Sequence, residues 1–291
     1  MSSFGYSRKA VVELASRYRD LVWEIEHQKN TNDASAAAVD KAEAEEVLFT
    51  ELCECCLWGN ATDLSLLTSL TYNDLQALQG SEARKSAEKN ILVNDIRAAF
   101  KVLKLARDEG EDGEATMTTT TTTARRRRVH IALDNAGFEL YVDLVFAGYL
   151  LAVGLATEVV VHGKEIPWFV SDVTPSDFET LLAALTEPAK SFSMDTDDRE
   201  AGAGSMPSGE KDVLLFLSRH LNSLRDQGKI RMQTSPFWHQ PGSHLRMPKA
   251  APRLFEDLQR SELVIFKGDL HYRKLTSDVS SHQQYLLFFC I

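Results

Sequence analysis

The stretch from Val129 to Val153 narrows the fold more than any other part of the chain. It reads Val129-His130-Ile131-Ala132-Leu133, then Asp134-Asn135-Ala136-Gly137, then an apolar run from Phe138 to Val153. A short apolar run bounded by turn residues reads as a buried strand, and a long one as a buried helix. Strand, turn and helix together form the α/β unit, and the unit recurs. Glu158 to Val161 is β-rich. Trp168-Phe169-Val170 reads as a strand leading into Ser171-Asp172-Val173-Thr174-Pro175, and Ser176 to Leu185 reads as a helix. Lys211 to Arg225 is helical, Ile230 to Met232 a strand and Arg253 to Arg260 a helix. Leu263 to Phe266 is a buried strand ending in Lys267-Gly268-Asp269. This alternation predicts an α/β fold with a parallel sheet and helices on both faces.

Before this region the pattern is helical. Val11, Leu14, Tyr18, Leu21, Val22 and Ile25 recur at helical spacing, and Ser35 to Leu57 is rich in alanine and glutamate. Thr71 to Gln79 and Ser81 to Arg107 read as further helices, with Thr71 as an N-cap. An acidic run from Asp108 to Glu114, six threonines from Thr118 to Thr123 and four arginines from Arg125 to Arg128 follow. Nothing in them can build a core, so they read as a linker. The expected organisation is a helical region over 1–108, a low-complexity linker over 109–128 and an α/β domain over 129–291. The acidic, Gly- and Ser-rich stretch from Ser191 to Gly209 reads as a flexible insertion.

A formal net charge of -10 over 291 residues argues against a general nucleic-acid or anionic-membrane binder, because phosphate-rich partners would be repelled. No apolar run reaches the length of a membrane span, and the N-terminal residues lack the apolar core of a signal peptide. The chain is therefore expected inside the cell, in the cytoplasm, with the nucleus as the alternative. Cys53, Cys55 and Cys56 lack a second Cys or His pair at ligand spacing and read as a buried helix face.

In an open parallel sheet, ligands bind beyond the carboxyl ends of the strands, where the loops gather. Asp134, Asp172 and Asp269 each follow one of the expected strands. Asp and Asn oxygens are hard ligands suited to magnesium, manganese and related cations. Lys267, Arg273 and Lys274 share the last loop with Asp269, the composition of a clamp for a sugar phosphate. His162, His239 and His244 are scattered and are assigned no role.

Four strings carry a resemblance: Leu57-Trp58-Gly59-Asn60-Ala61-Thr62-Asp63-Leu64-Ser65, Leu133 to Leu140, Ile166 to Val173, and Lys267 to Leu275. They resemble, in family order, the damage-control sugar-phosphate phosphatases, a family also described as acidic-residue methyltransferases. The resemblance implies a Rossmann-like three-layer α/β/α domain joined to a helical region. It also implies hydrolysis of sugar phosphates such as fructose 1-phosphate, supported by Mn, Co or Ni, with Mg as a further option. By the same resemblance Asp134, Asn135 and Asp172 hold the metal, and Asp134 and Asn135 also face substrate. Asp269, Leu270, His271, Tyr272 and Arg273 hold the sugar phosphate, joined by Lys267 from the clamp reading above, while Asn60 and Asp63 lie in a motif without an assigned role. Under the methyltransferase description, Glu139 and Asp172 match positions for S-adenosylmethionine, and the substrate is then a protein. His271 stands where the family usually has Asn. The family's later Arg-Thr-x-Lys motif does not occur before Ile291, so the sequence reads as a shortened member, with an inactive remnant as the third alternative.

Overall fold

The computed structural model describes residues 8–28, 37–57, 91, 93–112, 126–192 and 206–277. Its elements are α1 (Arg8–Gln28), α2 (Ala37–Leu57), α3 (Ile96–Asp112), β1 (Arg128–Ala132), α4 (Phe138–Ala152), β2 (Glu158–Gly163), α5 (Pro175–Thr186), α6 (Ser208–Asp226), β3 (Ile230–Thr234), α7 (Pro252–Gln259), β4 (Leu263–Phe266) and α8 (Gly268–Thr276). The four strands form one parallel sheet in the order β3-β2-β1-β4. The expected α/β class and parallel sheet are therefore present.

Alternation along β1 divides the core in two. Val129 and Ile131 join one apolar cluster with α4, α5, α6 and the N-terminal helices, while Ala132 joins Phe237, Trp238, Met247, Leu258 and Phe266 on the opposite face. From Phe138 to Leu150 every residue of α4 is buried, as expected for a helix apolar all round. Its cover comes from the sheet on one side and from α1 and α2 on the other. Phe49 of α2 meets Phe146 with ring centroids 5.6 Å apart, and the Tyr141 hydroxyl donates to the carbonyl of Val11 at 2.6 Å. The helical region and the sheet thus share one core. Cys53 and Cys56 are buried in it, on the helix face expected for them.

Several expectations are corrected. Trp168-Phe169-Val170 is a turn: Phe169 and Val170 have φ of 40° and 70° and are exposed, so no neighbouring strand packs on them. A β-branched residue at positive φ is rare; here the turn is closed by the Ser171 amide on the Phe169 carbonyl at 2.8 Å and the Asp172 amide on the Trp168 carbonyl at 3.2 Å. The Lys267 to Lys274 segment is largely the helix α8, not a loop. Helix α3 starts at Ile96, after residues 93–95 that are not helical, and it continues through Asp112 into the stretch read as linker. Arg128 is no solvated linker end, because it pairs with Glu158 at 3.0 Å and with Asp257. The helix expected over Thr71 to Gln79, the threonine run, Asn60 and Asp63 lie outside the described residues. Among the described residues, no helix is long and apolar enough to cross a membrane.

Candidate metal and phosphate site

Strand order sets where a site can form. The chain runs outward from β1 through β2 to β3, then returns to β4 on the other side of β1. The connections diverge at β1 and β4, which opens a crevice beyond their carboxyl ends. Asp134 and Asn135 leave β1 at this point, and Gly268 begins α8 just after β4.

Backbone hydrogen bonds bring Asp172 in. Asn135 and Asp172 form an isolated antiparallel bridge, the Val173 amide donates to the Asp134 carbonyl at 2.9 Å, and the Ala136 amide donates to Ser171 at 2.8 Å. The structure therefore brings Asp134, Asn135 and Asp172 together, with Asp172 arriving on a turn rather than after a strand. Asn135 donates through Nδ2 to Asp134 Oδ2 at 2.8 Å and to Glu139 Oε2 at 3.0 Å, and its Oδ1 accepts from Ser171 Oγ at 2.5 Å. Gly268, at φ 83°, makes room for the Asp134 carboxylate: a side chain at that position would run into it.

Two buried lysines answer these carboxylates. Lys164, 1% exposed, places Nζ 3.3 Å from Asp172 Oδ2 and donates to the Leu133 carbonyl at 3.0 Å. Lys267, 2% exposed, bonds both oxygens of Asp143, at 2.7 and 2.9 Å, and lies 2.8 Å from Glu139. Burial alone would lower the Lys267 pKa, but Asp143 and Glu139 outweigh it and hold the ammonium above its usual range. Lys267 is therefore the internal counter-ion of α4, not the open phosphate clamp expected of it. Lys274 is likewise turned inward, donating to the carbonyls of Phe237 and Gln240 at 2.7 Å each.

The remaining clamp residues lie along α8. Asp269 and Arg273 are exposed and pair one turn apart at 3.4 Å, and Tyr272 is about half exposed. Leu270 belongs to the first turn of α8. His271 is 1% exposed and packs on Trp238 and His244. A titratable ring facing substrate is thus not what its position provides: burial first, then Lys164, His244 and Lys274, push its pKa well below the usual value.

Negative charge dominates the centre. Among the described residues, Lys164 and Lys267 are the cations that act on Asp134, Asp143 and Asp172, with Glu139 beside them. Burial, then Glu139 and Asp172, push the Asp134 carboxyl up to about 6 from a usual 3.8. Burial likewise raises Asp143 to about 6 and raises Asp172. Asp172 Oδ2 has no well-formed hydrogen bond. The carboxyls outnumber the ammonium groups, so negative charge is left in excess for a cation to offset. Hard oxygens, uncompensated charge and an unsatisfied carboxylate oxygen all fit such an ion. Among the described residues no group of three or more His, Cys, Asp or Glu is set to hold a metal, so the site depends on the amide of Asn135 beside its two aspartates.

Lys164 and Asp143 were not picked out from the sequence. Asp143 did leave a signal, as a lone acid four residues after Glu139 in an otherwise apolar helix. Buried histidines were also missed as a group. His130 and His162 share a hydrogen bond of 2.7 Å, and His271 and His244 one of 3.2 Å. Burial lowers all four, His130 to about 4 and His244 to about 3.

The stability these imidazoles contribute is complete above the usual histidine value of 6.5 and is lost as pH falls through their folded values. The raised aspartates act oppositely: their contribution is complete below 3.8 and is lost as pH rises through about 6. Four histidines against Asp134, Asp143 and Asp172 leave the unfolded chain binding more protons below pH 6.5. Acidification from pH 7 to 5 is therefore expected to lower the unfolding free energy, by about 1.4 kcal/mol per pH unit for each net proton, and with it the urea midpoint. A midpoint that rises on acidification would contradict this assignment.

The profile of a family described as the damage-control phosphatase ARMT1-like domain matches residues 1–290. A curated relative from Xenopus laevis, named damage-control phosphatase ARMT1, is 34% identical over 96% of this chain and 53% of its own length. A relative of the same name from Homo sapiens is 32% identical over 95% of this chain and 52% of its own. The chain thus spans about half the length of these relatives. Among solved structures, a DUF89 family protein from Pyrococcus horikoshii aligns over 94% of this chain and 84% of its own, with 14% identity and a TM-score of 0.38.

Proposed function

Because the chain belongs to the damage-control phosphatase ARMT1-like domain family, we propose that it is a metal-dependent phosphatase of sugar phosphates, fructose 1-phosphate among them. The observation that carries this reading is the meeting of Asp134, Asn135 and Asp172 at one point, with carboxyls raised by burial and by one another. Those three residues would hold Mn, Co or Ni, with Mg as a further option. When bound, the cation would polarise a phosphoryl oxygen and lower the pKa of a bound water.

The chain's own groups complete the site. Lys164 offers a fixed positive charge beside Asp172. Arg273 reaches solvent from α8 and, among the described residues, pairs with the exposed Asp269, a carboxylate it can exchange for a phosphate, which guanidinium binds through two parallel hydrogen bonds. Lys267 serves the site indirectly, by holding Glu139, which in turn accepts from Asn135. Gly268 keeps the approach to Asp134 clear.

The test is phosphate release from a panel of sugar phosphates with and without Mn, Co or Ni. We expect metal-dependent release by the unaltered chain and a loss of at least about a hundredfold in Asp134→Ala, the scale of a displaced reacting group. Release that survives Asp134→Ala would remove the assigned site, and no release with any metal would remove the reading. Glu139, the residue required by the S-adenosylmethionine alternative, is already held between Lys267 and Asn135. A thermal shift with S-adenosylmethionine but none with metal would favour that alternative.

A further inference from the structure

We propose that His271 is a positioning residue, which accepts at Nε2 a proton of the Lys164 ammonium and so holds that ammonium beside Asp172. A lysine ammonium has three N–H donors and no acceptor. Around Lys164 Nζ stand two hydrogen-bond partners, the Leu133 carbonyl at 3.0 Å and His271 Nε2 at 3.4 Å, while Asp172 Oδ2 faces it as an ion pair at 3.3 Å. A charged lysine can only donate, so His271 Nε2 must be the bare, accepting nitrogen. The proton of the neutral ring then sits on Nδ1, which faces His244 Nε2 at 3.2 Å. His244 must accept in turn, and its own proton lies on Nδ1, a buried atom with no hydrogen-bond partner among the described residues. One ammonium thus fixes the tautomers of two imidazoles.

The choice of acceptor matters. A carboxylate in place of His271 would neutralise Lys164 and draw it away from Asp172. A neutral imidazole takes the proton without taking the charge, which stays directed at the site. The ring is well placed for this: it stacks on His244 with an interplanar angle of 12° and meets Trp238 edge to face at 5.4 Å, so its plane is set by packing. Lys164 is neither on α8 nor next to His271 in sequence, and the contact links β2 to the helix that opens against Asp134.

The structural half of the proposal is independent of any activity, while its consequence for turnover rests on the phosphatase reading. Nitrogen-15 NMR of the histidine side chains separates protonated from bare ring nitrogens. At pH 7 we expect His271 and His244 both neutral, each with the proton on Nδ1 and with Nε2 bare. A proton on His271 Nε2, or a doubly protonated ring, would overturn the proposal. In the phosphatase assay, His271→Leu is expected to lower kcat about tenfold to a hundredfold, and His271→Asn, which restores a neutral acceptor, to recover most of it. Unchanged kcat in His271→Leu, or equal losses in both variants, would overturn the role in turnover. Should the unaltered chain release no phosphate, the phosphatase reading fails while the tautomers still decide the proposal. Should His271→Leu fail to fold, the spectrum of the unaltered chain decides it alone.

Discussion

Replacing Lys267 by methionine is expected to lower the unfolding free energy by about 3–5 kcal/mol, the usual cost of removing one partner from a buried ion pair. Methionine keeps most of the volume, so a cavity is not the cause. The cause is charge: Asp143 and Glu139, 1% and 4% exposed, would be left without their cation. Urea denaturation measures the loss. A triple variant, Lys267→Met with Glu139→Gln and Asp143→Asn, removes all three charges together and should recover much of the stability, because neutral groups of similar shape often replace a buried ion cluster at little cost. A triple variant as unstable as the single one would show that the ion cluster is not what Lys267 stabilises.

Gly268→Ala is expected to separate function from stability. At φ 83° an L side chain is strained, which costs on the order of 1–3 kcal/mol. The larger effect is local, because the new methyl group would occupy the space of the Asp134 carboxylate. That carboxylate must move, and a displacement of about 1 Å at a reacting centre costs about a hundredfold in rate. We expect metal-supported phosphate release to fall by about that factor while the urea midpoint falls only modestly. Full activity in Gly268→Ala would mean that Asp134 does not take part where it now stands.

Much of the scaffold was legible because the strands and helices announce themselves by local pattern. β1, β2, β3 and β4 lie within a few residues of the expected runs, and α4 was read from its unbroken apolar sequence. Trp168-Phe169-Val170 misled because intrinsic preference favours a strand there, and only tertiary demand overrides it: Asp172 must return to Asn135. The segment after β4 misled in another way. Its lysines read as a surface clamp, yet Lys267 and Lys274 are buried and bonded within the protein. Partners of a buried charge lie far along the chain, as Asp143 does from Lys267, and no local pattern records them. Asp134, Asn135 and Asp172 were named from strand ends and family resemblance, and they do meet. Lys164 was invisible because its hydrogen-bond partners, Leu133 and His271, lie far from it along the chain.

The pairing of β1 with β4 also bears on the order in which the molecule is put together. Val129 stands opposite Leu263, so the carboxylates that follow β1 are made long before the glycine and lysine that follow β4. Contacts of such high sequence separation are slow to form, and every segment from α4 to α7 must be synthesised before the crevice can close. During synthesis the edge of β1 stands open until β4 arrives, and Glu139 and Asp143 wait without their lysine. A cation bound between Asp134 and Asp172 would therefore act on the last portion of the fold to assemble. Such an ion would stabilise the finished structure by slowing its opening, rather than by hastening its formation.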